Sequence, residues 1–171
     1  MTERPHRAIV VGVAPGQPAS VVRTAARFAE RFDAELVCAW VDAARYTVAE
    51  DERGMAWSLP IDPDQADDPV AEVDSSLRSA IARTLAGLDV RWSIRMLAGG
   101  PAGELARLAE ELDAELIVVG TREAGVRGSL HEFFNGSVAV QLAHRQHRPL
   151  LVVPLKPVAH DDDLPWRGDD A

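Results

Sequence analysis

Apolar residues in this chain come in short dense runs, separated by longer stretches of mixed character. AIVVGV at Ala8–Val13, LVCAWV at Leu36–Val41, LIVV at Leu116–Val119 and LLVV at Leu150–Val153 are almost wholly apolar. Runs of that length without polar alternation predict strands covered on both faces, as in a parallel sheet. Val90–Leu97 differs, because Val90, Trp92, Ile94 and Met96 alternate with Arg91, Ser93 and Arg95. A period of two predicts a strand at a sheet edge with one face partly wet. Between the runs the spacing turns helical. Val21, Ala25, Phe28, Ala29 and Phe32 predict a helix that starts near Ser20. Val73, Leu77, Ile81 and Leu85 predict a second, and Leu105, Leu108, Ala109 and Leu112 a third behind the Gly99-Gly100-Pro101 turn. A fourth spans Ser137 to about Arg145.

Strands that alternate with helices predict an α/β fold, a parallel sheet with helices on both faces. In such sheets ligands bind beyond the carboxyl ends of the strands, where the strand order reverses. Asp42–Asp68 breaks the pattern. It is long and polar and carries Gly54, Pro60 and Pro63, so it reads as an irregular excursion and a candidate mobile insertion. The organisation expected is one domain over residues 1–155, followed by a tail over 156–171. Pro157, Pro165 and the run Asp161–Asp163 make that tail acidic and predict disorder.

Charge and composition narrow the function classes. The 171 residues carry a formal charge of −9, of which −4 falls between Ala159 and Ala171. That balance argues against nucleic acid and against an anionic membrane surface as partners. Polar N-terminal residues give way to only a short apolar run, and no stretch reaches membrane-spanning length. The expectation is a cytoplasmic protein. A single cysteine, Cys38, excludes an internal disulfide and is expected to be buried and inert within its strand. His144 and His147 stand three apart on the predicted fourth helix, but no third residue of suitable spacing accompanies them, and no metal is expected. No Ser/His/Asp set or carboxylate pair is recognisable, so the chain is not read as an efficient enzyme.

The stretch Leu116–Pro154 joins a buried strand, a Gly-rich loop, Gly136-Ser137 at a helix start, a helix and another buried strand. A helix start at the end of a parallel strand presents backbone N–H groups and the positive dipole end to an anion. Together with AIVVGV, the Gly100-Pro101-Ala102 turn and ELIVVGTR, this stretch resembles the universal stress protein family over roughly Arg7–Leu155. The resemblance implies five parallel strands in the order 3-2-1-4-5. It also implies an ATP crevice, with magnesium where ATP binds, around Val13, Ala14, Val41, Gly120, Thr121, Arg122, Gly125, Gly128, Gly136, Ser137 and Val138.

The family's ATP motif is Gly, two residues, Gly, nine residues, Gly, then Ser or Thr. Gly120 and Gly136-Ser137 match its ends. Glu123 stands where the middle glycine belongs, and twelve residues separate it from Gly136. The first strand ends in Ala14, where ATP-binding members carry Asp. Ser129 and Glu132 form a capping box ahead of Phe133 and Phe134, which reads as a short helical turn over the crevice. The apolar strand Leu150–Val153 should be the second sheet edge. Its lack of polar alternation predicts pairing with a second copy through residues 150–154, as family members do. The function expected is a homodimeric regulatory module in the stress response with a degenerate ATP crevice and an unidentified protein partner. The alternatives are a member that works through protein contacts without nucleotide and a slow ATP hydrolase.

Overall fold

The computed structural model describes residues 7–43, 45–50, 56–60, 70–121 and 137–155. Its main sheet contains β1 (Ala8–Val13), β2 (Glu35–Asp42), β5 (Trp92–Ala98), β6 (Leu116–Gly120) and β7 (Leu150–Val153). All neighbours are parallel and the order is β5-β2-β1-β6-β7. Counted along the chain without the hairpin described below, this is the expected 3-2-1-4-5. The alternating strand is at one edge and the LLVV strand at the other.

Helices α1 (Ser20–Phe32) and α2 (Val70–Leu85) cover one face of the sheet, and α3 (Pro101–Glu111) and α4 (Val138–Arg145) the other. Alternate strand residues explain the division. Ile9, Val11, Leu36, Cys38 and Val118 pack towards α1 and α2. Val10, Val37, Ala39, Ile117 and Val119 pack towards α3 and α4. Both sides of the central strands are therefore buried, which is why they read as unbroken apolar runs.

The sequence Asp-Ala-Glu-Leu occurs twice, at residues 33–36 and 113–116, and makes the same turn both times. Asp33 and Asp113 adopt left-handed φ values of 50° and 47° just past α1 and α3. The next N–H groups, of Ala34 and Ala114, then donate to the carbonyls of Ala29 and Ala109, each at 2.9 Å. Aspartate tolerates this conformation better than most non-glycine residues. The turn leads directly into β2 and β6 and sets their registers. At the second turn Arg148 donates to the Ala114 carbonyl at 2.6 Å and pairs with Asp113 at 3.0 Å, which ties the approach to β7 to the start of β6.

The segment read as an irregular excursion contains regular structure. β3 (Arg45–Glu50) and β4 (Ala56–Pro60) form an antiparallel hairpin, with a register shift between Thr47 and Ala49. Tyr46, Thr47, Val48 and Trp57 are aromatic or β-branched residues that favour strands, and the short connection includes Gly54. The hairpin lies beside β5. Residues 61–69 and the tail from 156 are outside the described residues. Among the described residues no helix is long and apolar enough to cross a membrane.

Candidate functional site

The connections define where a ligand can enter. The chain leaves β1 for α1 on one face, and leaves β6 for α4 on the opposite face. β1 and β6 are hydrogen-bonded neighbours. The connections after their carboxyl ends therefore part to opposite faces, the arrangement that makes a crevice at the switch point of a sheet.

On the β1 side, Val13 is buried against α1 and α2, and Ala14 is exposed. The Gln17 N–H donates to the Ala14 carbonyl at 3.1 Å and closes a tight turn. On the β6 side, Gly120 is opposite Val153. A Cβ at Gly120 would come within 3.0 Å of Val21 Cγ2, 3.1 Å of Gln17 Nε2 and 3.2 Å of Leu155 Cδ1. Packing alone therefore favours a small residue here, since a Cβ would push these side-chain ends back by a few tenths of an ångström. Thr121 is also committed to the fold. Its N–H donates to Val153, and its Oγ1 accepts from the Leu155 N–H, both at 2.9 Å. That pair carries the chain past the end of β7.

Ser137 is the N-cap of α4, with extended backbone (φ −78°, ψ 120°), and its side chain makes no capping hydrogen bond. Its carbonyl accepts from Gln141 N–H at 3.0 Å, so the helix is properly begun. Serine at this position usually satisfies its own first-turn N–H groups. Here the hydroxyl is not spent that way, and it stands on the α4 side of the crevice. Val138 packs into the apolar layer beneath. Val41 belongs to the same layer, opposite Leu97, and the next carbonyl, of Asp42, accepts from Gly99 N–H at 3.0 Å. Gly99 has φ of 132°, which few other residues adopt, and this lets the β5–α3 turn reach that carbonyl.

Arg122, Glu123, Gly125, Gly128 and Gly136 fall within 122–136, outside the described residues. So do Ser129, Glu132, Phe133 and Phe134. Of the predicted crevice residues, Val13, Ala14, Val41, Gly120, Thr121, Ser137 and Val138 are described, and all stand at carboxyl strand ends or the start of α4.

A cavity of about 470 Å³ opens next to the crevice, between α1 and α2. It shares Val13 and Ala14 with the crevice; Val41, Gly120 and Ser137 do not line it. Arg23, Ser76, Arg83 and Thr84 line it. None of these was predicted, because only the juxtaposition of α1 and α2 brings them together. The sequence signal was an arginine within each of two otherwise ordinary amphipathic helices.

Fit to the implied ligands can be judged from these groups. The uncapped Ser137 suits a phosphate at the start of α4. The β1 end offers no carboxylate, so magnesium would be held chiefly by the nucleotide's own phosphates, with Ser137 the available hydroxyl. Among the described residues no cluster of three or more His, Cys, Asp or Glu side chains is placed to hold a metal. His144 is in the last turn of α4, but His147 follows an extended Gln146 beyond the helix end, so the helical spacing between them does not apply. Cys38 is buried in β2, and burial pushes its thiol up to about 12. It stays protonated and unreactive near neutral pH.

The sequence profile of the Universal stress protein family matches residues 5–154. No curated protein is similar enough in sequence to match. Among solved structures, a universal stress protein in complex with cAMP is similar at 23% identity and a TM-score of 0.62, covering 90% of this chain and 100% of that one. The universal stress protein from Archaeoglobus fulgidus in complex with dAMP is similar at 19% identity and a TM-score of 0.55, covering 88% of this chain and 99% of that one. A family protein from Burkholderia pseudomallei is 23% identical with a TM-score of 0.58, covering 90% and 99% of the two chains. The chain belongs to the universal stress protein family.

Proposed function

We propose that this universal stress protein family member is a homodimeric regulatory module in the stress response, with an adenine-nucleotide crevice whose phosphate loop is degenerate. Ligand occupancy would change loop order and partner affinity rather than drive turnover. The observation that carries the reading is Ser137, which begins α4 at the switch point and keeps its hydroxyl out of helix capping. Gly120 ends the neighbouring strand β6, at the switch point beside β1. Similar structures in complex with cAMP and dAMP support an adenine nucleotide as the ligand class. The nucleotide would sit between Ala14, Val41, Gly120 and the Gly136-Ser137 start of α4, with adenine at the Val41 backbone and a phosphate at Ser137. The test is nucleotide carry-over. Protein purified from cells, then denatured, releases an adenine nucleotide identified by mass spectrometry, and substoichiometric release fits a weakened site. Complete absence of adenine nucleotide together with no response to added ATP would sink the reading.

A second reading, a family member that works through protein contacts alone, is favoured by Ala14 and Glu123. Neither supplies what the ATP motif uses at its position.

Dimerisation is proposed through β7. This strand is an open edge, and Val152 on it is 39% exposed. An apolar unpaired edge is a template for pairing, and a second copy of the same strand satisfies it. Val152→Arg places like charges across the two-fold axis. It is expected to weaken self-association by about a hundredfold or more, read by sedimentation velocity. The monomer should unfold within about 0.5 kcal/mol of the parent because the side chain is on the surface. A variant that remains fully dimeric would place the interface elsewhere.

A further inference from the structure

We infer that the groove between α1 and α2 is a second binding site, for a small organic anion with an apolar body. At about 470 Å³ the groove has the size of a small-molecule pocket. Its floor is apolar: Val13, Val22, Leu77 and Ile81 line it and are buried. Its rim is cationic. Arg23 comes from α1 and Arg83 from α2, and both are exposed. Neither forms an ion pair with a described carboxylate, in contrast to Arg7, Arg78, Arg107 and Arg148. The Arg83 Nε donates only a long bond to the Ser79 carbonyl, at 3.4 Å. Among the described residues no Asp or Glu lines the groove, in a chain whose net charge is −9.

Two guanidinium groups that pair with no described carboxylate, over an apolar floor, select a ligand with the matching division. The body lies on Val22, Leu77 and Ile81, and a carboxylate head reaches the rim, where guanidinium binds it through paired N–H donors. Gln17 separates this groove from the nucleotide crevice. It lines the groove and also lies against Gly120. The groove meets that crevice only at Val13 and Ala14, and its α1 and α2 lining stands apart from it.

The test is an amide NMR titration of the full chain with octanoate, with octanol as the neutral control. Octanoate is expected to shift the amides of residues 22–23 and 76–84, which the nucleotide crevice does not include, with a Kd on the order of 1 mM. Arg23→Gln combined with Arg83→Gln should weaken octanoate about tenfold, the loss expected for a charge-assisted pair, and leave octanol unaffected. Both side chains are exposed, so the variant's spectrum away from the groove should match the parent and report an intact fold. ATP added to the octanoate complex should leave the groove shifts in place. Octanol binding as tightly as octanoate, an unweakened double variant, shifts located elsewhere, or displacement of octanoate by ATP would each overturn the proposal. A protein that responds to octanoate but not to ATP would count against the nucleotide reading and leave this one standing.

Discussion

Replacing Ile117 with alanine is expected to lower the stability of the fold by about 2–5 kcal/mol. Ile117 is the centre of β6, with 0% of its surface exposed. It stands opposite Val10 of β1 and Leu150 of β7, so three strands meet at its position. Its side chain packs into the layer beneath α3 and α4, together with Leu105, Leu108 and Leu142. Truncation removes the transfer energy of three carbons and leaves a cavity that central strands, hydrogen-bonded on both sides, cannot close. A domain of this kind is stable by about 5–15 kcal/mol in all, so the loss is a large share. Thermal unfolding followed by circular dichroism should show a midpoint lowered by roughly 4–20 °C. Val152→Ala on the exposed edge of β7 is the control, and in the monomer it should cost less than about 1 kcal/mol. A loss at Ile117 no larger than the control's would contradict the packing described.

The second large effect concerns Glu123. Converting it to glycine is expected to raise ATP affinity by roughly tenfold to several hundredfold. The residue occupies the place of the middle glycine of the family's phosphate motif. Glutamate there has two separable costs. A carboxylate about 4 Å from a bound triphosphate would repel it by about 1–4 kcal/mol, depending on the local dielectric. The glutamate Cβ also disfavours the positive φ that glycine allows. Glu123→Gln removes the charge and keeps the backbone restriction, so it apportions the two. If repulsion dominates, Gln recovers most of the gain, and the benefit shrinks as salt screens the charge. If backbone freedom dominates, only glycine recovers it. Calorimetric titration of ATP into the two variants reads the difference. Equal, unimproved binding in both would show that Glu123 is not what weakens the site.

How much of this was legible depended on whether one element or two were needed to see it. β1 runs from Ala8 to Val13, matching its apolar run, because a strand covered on both faces leaves no polar residue to blur its ends. β7 runs from Leu150 to Val153 and also matches its run, although it is an edge strand with Val152 exposed and is not covered on both faces. The alternation in Val90–Leu97 gave away an edge strand, since only there can one side be partly wet. The β3–β4 hairpin was hidden. Prolines and carboxylates dominate Asp42–Asp68, and the short strand-forming runs around Tyr46 and Trp57 are diluted among them. Within the site, Gly120 and Thr121 were read as ligand contacts. Gly120 is also closely packed by Val21, Gln17 and Leu155, and Thr121 Oγ1 is bonded to the Leu155 N–H. Residues beyond the end of β7, distant in sequence, make both demands. The α1–α2 groove was invisible for the same reason: Arg23 and Arg83 are neighbours of one cavity only after both helices settle on the same face of the sheet.

The most direct test of the central claim is a calorimetric titration of ATP with magnesium into the full chain, run beside Ser137→Ala. The account predicts weak, saturable heat from the parent at millimolar ATP, one site per protomer, lost in Ser137→Ala while the variant's thermal unfolding stays the same. No saturable heat from the parent at millimolar ATP, or binding that Ser137→Ala leaves unchanged, would contradict it.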